Sequence, residues 1–118
     1  FQRANRLLPE AVEQPNLVWG TDSFRKLASY NFHNDTIVVS TLFEAASPEM
    51  LDYLMYHELL HKYHKFSHNY GRSSFHSRAF REDERRYPDQ DKIEREIGSF
   101  VRKQRIKGKK ASFWNLFQ

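Results

Sequence analysis

The chain has 118 residues and no cysteine, and 39% of its residues are hydrophobic and 15% aromatic. This composition predicts a single folded domain over residues 1–118, and it excludes disulfides, thiol catalysis and cysteine-ligated zinc. No apolar run is long enough to span a bilayer and no signal peptide is visible, so we expect no membrane partner and a cytoplasmic location. Any metal ion must therefore be held by histidine and carboxylate side chains.

The net charge of +4 is concentrated near the C-terminus. Residues 102–110 contain six basic side chains and no acidic one, namely Arg102, Lys103, Arg105, Lys107, Lys109 and Lys110. Such a run is typical of a solvated helix end, and it can also form a small positively charged surface that attracts nucleic acid. We expect at most weak nucleic-acid contact there, in a basic and aromatic tail over residues 102–118.

The first half of the chain predicts a small sheet. A short N-terminal helix limited by Pro9 precedes a strand at residues 16–20. Two more strands are predicted at residues 26–32 and 36–43, joined by a turn of histidine, asparagine and aspartate. We expect about three antiparallel strands.

The second half predicts three helices. The first opens with Ser47 as N-cap, followed by a proline and a glutamate, and should run to about Lys65. The second should start near Ser77, and Pro88 should separate it from the third, which should end at Gly108. The third helix has an apolar face of Ile93, Ile97, Phe100 and Val101.

His57, Glu58 and His61 form a complete HExxH motif within the first of these helices. Two histidines four residues apart project from one helix face and can bind one zinc ion. Glu58 can point toward a water that the metal activates and accept its proton as general base. The alternative is a histidine pair that is exposed or hydrogen-bonded within the protein. The strong helix start and the apolar stripe that leads to the motif disfavour this alternative.

A catalytic zinc ion needs a third protein ligand and leaves one position for water. His76 is the leading candidate, because it stands just before the next helix after a loop long enough to fold back. Glu84 is the rival, because it shares a helix stripe with Phe80, which we expect in the core, and a carboxylate there needs a partner. The alternative for Glu84 is a salt bridge with Arg81 or Arg85.

Other polar side chains near the motif carry weaker predictions. We expect His64 and His68 to be exposed at the helix end and His33 to have no role. Tyr63 and Tyr70 can donate a hydrogen bond to an oxyanion, although packing is the simpler role for both.

The order of these segments resembles the SprT-like zinc metallopeptidase domain, from LVWG through IVVSTLF and PEMLDYLMYHELLH to FHSRAF. The resemblance covers most of the chain and implies an α+β, zincin-like domain with the sheet packed on the HExxH helix. It also implies that His57, His61 and His76 hold Zn²⁺ and that Glu58 is the catalytic base.

The sequence is also similar to the minigluzincins, peptidases of about this length in which Glu84 would be the third ligand. That group is latent, with a terminal segment in the cleft, which here would be residues 111–118. We expect a zinc metalloendopeptidase whose peptide or protein substrate binds along an edge strand near residues 36–42. The alternatives are a latent zymogen, a DNA-associated protease and a non-catalytic, zinc-stabilised interaction module.

Overall fold

The structure is a computed structural model that describes the backbone of residues 1–67 and 77–115 and the side chains of residues 1–64 and 77–106. The described residues form an α+β fold, as predicted. Its elements are α1 (Gln2–Leu7), β1 (Asn16–Trp19), β2 (Ala28–Asn31), β3 (Thr36–Val39), α2 (Pro48–Ser67), α3 (Arg78–Glu84) and α4 (Gln90–Asn115).

The three strands form a mixed sheet in the order β1-β3-β2. β2 and β3 make the predicted antiparallel hairpin, with Asp35 in the left-handed region of its turn at φ 49°. β1 pairs with β3 in parallel, so the expectation of an entirely antiparallel sheet is wrong for this pair. β3 is consequently the central strand, and the expectation of an edge strand near residues 36–42 is wrong as well.

The connection from β1 to β2, residues 20–27, accounts for this strand order. The buried Ser40 hydroxyl donates to the Ser23 carbonyl and accepts from the Ser23 N–H, both at 3.0 Å. These bonds hold the connection at the end of β3, so that β2 lies on the far side of β3 from β1. Ser40 also accepts from Leu42 N–H and caps a 3-10 helix, Thr41–Ala45, where the sequence predicted a longer strand.

α2 and α3 begin where the sequence predicted, and each has a serine N-cap. The Ser47 hydroxyl accepts from Met50 N–H at 3.3 Å, and the Ser77 hydroxyl accepts from Phe80 N–H at 3.2 Å. The prediction that the third helix ends at Gly108 is wrong. α4 continues to Asn115. A single glycine costs a helix only about 1 kcal/mol relative to alanine, which is too little to end a long one.

Two buried clusters hold the helices on the sheet. The first lies between the sheet, α2 and α3, and Phe80 belongs to it as predicted; it also includes Ile37, Tyr56, Leu59 and Leu60. The second lies between α2 and α4 and confirms the predicted apolar face; it includes Phe43, Tyr53, Ile93 and Ile97, with Phe100 and Val101 packed against it. Among the described helices, none has the length and apolar character required to cross a membrane.

Candidate metal centre

The two histidines of the HExxH motif lie side by side on α2. The ring centroids of His57 and His61 are 5.0 Å apart. Both rings contact the ring of Phe80, with centroid distances of 5.1 Å and 4.5 Å. Because Phe80 is buried and belongs to α3, it supports both imidazoles and brings α3 alongside the motif.

Glu84 lies one helical turn after Phe80 and reaches the first histidine. Its Oε2 atom is 2.5 Å from Nδ1 of His57, and both side chains are largely buried. The structure thus brings Glu84 to His57, the first histidine of the motif. His76 lies outside the described residues, and so do His68 and Tyr70.

Burial and nearby charges perturb the pKa values of two groups of the motif, His57 and Glu58. Burial lowers the pKa of His57, but the hydrogen bond to Glu84 and the nearby negative charges outweigh burial and raise this pKa above its ordinary value. Burial raises the pKa of Glu58 to about 7, against the opposing charges of His57 and Lys26. A carboxyl group with a pKa near neutrality can both accept and return a proton.

His64 was expected to be exposed, and this prediction is wrong. Its side chain is 12% exposed, and Nε2 lies 2.9 Å from Oδ2 of Asp83, the residue before Glu84. The hydroxyl of Tyr56 donates to the backbone carbonyl of Asp83 at 2.6 Å. Two polar contacts from α2 therefore hold the end of α3 that carries Glu84.

Sequence reasoning also missed Lys62, which is 5% exposed and forms an ion pair with Asp35. A lysine beside a metal motif on a helix ordinarily predicts a solvated side chain, so no sequence signal indicated this pair. His33 is exposed in the β2–β3 turn, and the ring of Tyr63 packs against His64 with a centroid distance of 5.2 Å.

Donor chemistry at the site fits zinc. No three histidine, aspartate or glutamate side chains within the described ranges already have the geometry of a formed metal site. Two imidazoles on adjacent turns of one helix and a carboxylate from another helix are nevertheless the ligand types that zinc prefers. Glu84 can act as a ligand or, by accepting a hydrogen bond from Nδ1, can orient the ring of His57.

The described part of the basic run lies on α4. Arg102, Lys103 and Arg105 are exposed there, and the guanidinium of Arg105 lies 5.3 Å from the ring centroid of Phe24. The side chains of Lys107, Lys109 and Lys110 lie outside the described residues. Since Phe24 belongs to the connection between β1 and β2, α4 reaches the segment that leads into β2.

A mixed three-stranded sheet on the helix of an HExxH motif, flanked by further helices, defines a small zincin-like domain. The structure is similar to the crystal structure of the metallopeptidase zymogen jannalysin of Methanocaldococcus jannaschii, with a TM-score of 0.53 and 26% identity. The similarity covers 74% of this chain and 80% of that chain. No protein-family model and no curated protein matches the sequence. The resemblance to a metallopeptidase fold is thus supported, and the SprT-like assignment stays a prediction.

Proposed function

We propose that the chain is a zinc-dependent metalloendopeptidase in which His57 and His61 hold the ion and Glu58 is the general base. The observation that carries this proposal is the Glu84 carboxylate, 2.5 Å from His57 Nδ1. A zinc site on two histidines of one helix needs a third donor, and a carboxylate from a second helix beside the first histidine is a donor of the right type. The similarity to a metallopeptidase zymogen supports the same function.

We propose Glu84 as the third ligand in preference to His76. α3 holds Glu84 against the motif through the buried ring of Phe80 and the contacts of Asp83 with α2. Two neutral imidazoles and one carboxylate would leave a single net positive charge on the bound ion. That charge favours binding of a carbonyl oxygen.

Zinc at this position would supply a Lewis acid that polarises the scissile carbonyl and lowers the pKa of water. Glu58 accepts the proton of the attacking water and returns it to the leaving amine. Burial holds the pKa of Glu58 near 7 in the metal-free protein, and nearby positive charge lowers it. The carboxylate form, which is the form that can accept a proton, is then favoured at neutral pH.

The outer edge of β2 is the substrate edge that we propose in place of residues 36–42. Ser40 N–H donates to the Leu27 carbonyl at 2.8 Å. Because alternate residues of a strand direct their backbone groups to the same side, Ala28 and Tyr30 direct theirs away from β3. The charge of Lys26, just before β2, opposes the rise in the pKa of Glu58, so the start of this strand lies within electrostatic reach of the base. An extended peptide can add to this edge through backbone hydrogen bonds.

Zinc content and peptidase activity of matched variants test the proposal. We expect Glu58→Gln to retain zinc and to lose activity by a factor of about 10² to 10⁴, the usual contribution of a general base. His57→Ala should lose both zinc and activity, whereas the control His33→Ala, in the exposed turn, should retain both. Stoichiometric zinc with unchanged activity in Glu58→Gln would refute the mechanism.

A latent form of this enzyme is the second candidate, and the contact of Arg105 with Phe24 favours it. This contact ties α4 to the connection that leads into the proposed substrate edge. The similar jannalysin structure is that of a zymogen. Deletion of residues 111–118 should then raise activity at least about tenfold. Zinc content should not change, and removal of Gln118 alone is the control.

Equal, Glu58-dependent activity in the full and truncated chains would contradict latency. Stoichiometric zinc without activity in either chain would favour a non-catalytic, zinc-stabilised module.

A further inference from the structure

β1 presents an apolar strand at one edge of the sheet. Leu17, Val18 and Trp19 are 42%, 47% and 52% exposed. Leu17 is in register with Ile37 and Trp19 with Val39, so both point to the face on which Ile37 is fully buried. The apolar face that packs on the helices therefore continues onto β1, where it becomes exposed.

The backbone of β1 also has hydrogen-bonding groups at this edge. Asn16 N–H and Gly20 N–H donate to the carbonyls of Asp35 and Val39 on the β3 side, each at 2.8 Å. Since alternate residues face the same way, Val18 also faces β3, and Leu17 and Trp19 direct their N–H and C=O groups outward. These groups can form ladder hydrogen bonds with one further strand.

We propose that this edge pairs with β1 of a second copy of the chain, in antiparallel orientation about a two-fold axis at Val18. Outward-facing residues of antiparallel strands exchange two hydrogen bonds when they stand opposite each other. With the axis at Val18, Leu17 stands opposite Trp19 of the second copy, and both are outward-facing. The edge is thus complementary to itself, and the two sheets join into one of six strands.

Charge and side-chain contacts also favour a second copy of the chain as the partner of the β1 edge. Residues 14–21 carry no charged side chain, so two copies meet without repulsion along the strand. Charged residues are the usual protection of an edge strand against such pairing, and β1 has none. Across the axis, Leu17 contacts Trp19 of the second copy on the face toward the helices, where each chain leaves apolar surface exposed.

The size of the patch sets the expected affinity. Three partly exposed side chains on each copy bury much less than the roughly 800 Å² per partner of a standard interface. We expect a dissociation constant of about 0.1 to 1 mM, so the dimer forms at high local concentration.

Cysteine cross-linking in this cysteine-free chain tests the register. Val18→Cys brings two thiols face to face at the axis, since Cβ atoms of directly opposed residues are about 4.5–5.5 Å apart. We expect this variant to form a disulfide-linked dimer under mild oxidation. Ile106→Cys on α4, where the side chain is 53% exposed against 47% for Val18, is the control. Leu17→Cys and Trp19→Cys should cross-link when mixed and not when alone.

Sedimentation supplies an independent measurement that needs no cysteine. The average mass of the wild-type protein should rise above the 14.2 kDa of one chain as the concentration approaches about 1 mM. Val18→Lys should abolish this rise because it places two like charges at the axis, whereas Ile106→Lys should not. Cross-linking of Val18→Cys no faster than that of Ile106→Cys, or a constant monomer mass, would overturn the proposal.

Discussion

The ammonium group of Lys62 lies 3.0 Å from the carboxylate of Asp35 and thereby joins the helix of the HExxH motif to the turn between β2 and β3. Nζ of Lys62 also donates to the carbonyl of Glu13 at 2.8 Å, and the hydroxyl of Tyr30 donates to Asp35 at 2.7 Å. Lys62 directly follows His61, and Tyr30 belongs to β2. This network therefore fixes the position of the proposed substrate edge relative to the motif.

Replacement of Lys62 by methionine should destabilise the protein. Methionine fills most of the space of the buried stem, but the hydrogen bonds to Asp35 and Glu13 are lost. Hydrogen bonds to charged groups contribute about 1.5–3 kcal/mol to stability, and half-exposed Asp35 recovers part of this by binding water. We therefore expect the free energy of unfolding to fall by about 1–2 kcal/mol. Urea unfolding measures this, and Lys92→Met on the exposed side of α4 is the control. Equal effects of the two substitutions would contradict a role for the network.

The same network predicts a pH dependence of stability. Burial alone raises the pKa of Asp35, but hydrogen bonds from Tyr30 and Lys62 and the charge of Lys62 lower it below its ordinary value. A carboxyl group whose pKa is lower in the folded state stabilises the fold at pH values above its pKa in the unfolded chain, about 3.9. This stabilisation is lost as the pH falls below that value. Asp35→Asn should therefore be less stable than the wild type at pH 7, and the gap should shrink below about pH 4. A gap that does not vary with pH in urea titrations would refute this.

Phe80 connects the stability of the core to the geometry of the site. Phe80→Ala should reduce the free energy of unfolding by about 3–5 kcal/mol, the usual range for a buried phenylalanine. It should also weaken zinc binding, because the rings of His57 and His61 both rest on Phe80. Phe32→Ala, in the exposed turn, is the control for both measurements. Lower stability with unchanged zinc affinity would show that the imidazoles hold their positions without Phe80.

Local features of the fold could be predicted, because a few neighbouring residues determine them. The caps at Ser47 and Ser77 and the apolar face of α4 depend only on sequence spacing. The strand order depends on the contact of Ser23 with Ser40, which are far apart in the sequence. Strand propensity carries no information about which strand lies in the middle or in which direction it runs.

The same distinction holds at the site. His57, Glu58 and His61 belong to one helix, so their spacing alone indicates a shared site. The contacts of Asp83 and Glu84 depend on how α3 packs against α2, and the sequence could only name Glu84 as one of two candidates. The pair of Lys62 with Asp35 links a helix to a turn, and no local pattern reveals such a contact.

The basic run on α4 predicts a weak, salt-dependent affinity for DNA. Each lysine that neutralises a phosphate contributes about 0.9 to the slope of log affinity against log salt. Neutral substitution of Lys107, Lys109 and Lys110 together should lower that slope by up to about 3. Fluorescence anisotropy with a short duplex measures this slope, and the double variant Lys26→Gln/Lys92→Gln, which removes two positive charges elsewhere, is the control. No measurable affinity at low salt would remove nucleic acid as a partner.

The choice between Glu84 and His76 as third zinc ligand can be decided by two conservative substitutions. Glu84→Gln keeps an oxygen that accepts the hydrogen bond from His57 Nδ1 but removes the charge that a zinc ligand supplies. If Glu84 is the ligand, zinc affinity should fall by more than about 100-fold, the upper end of the loss for a residue that only orients a ligand. His76→Gln should then change affinity little, and Glu82→Gln, on the exposed side of α3, should change nothing. Competition with a chromophoric chelator gives the affinities, and the absorption of Co²⁺-loaded protein reports the ligand set independently. A large loss in His76→Gln with Glu84→Gln near wild type would overturn the assignment and restore the ligand set His57, His61 and His76.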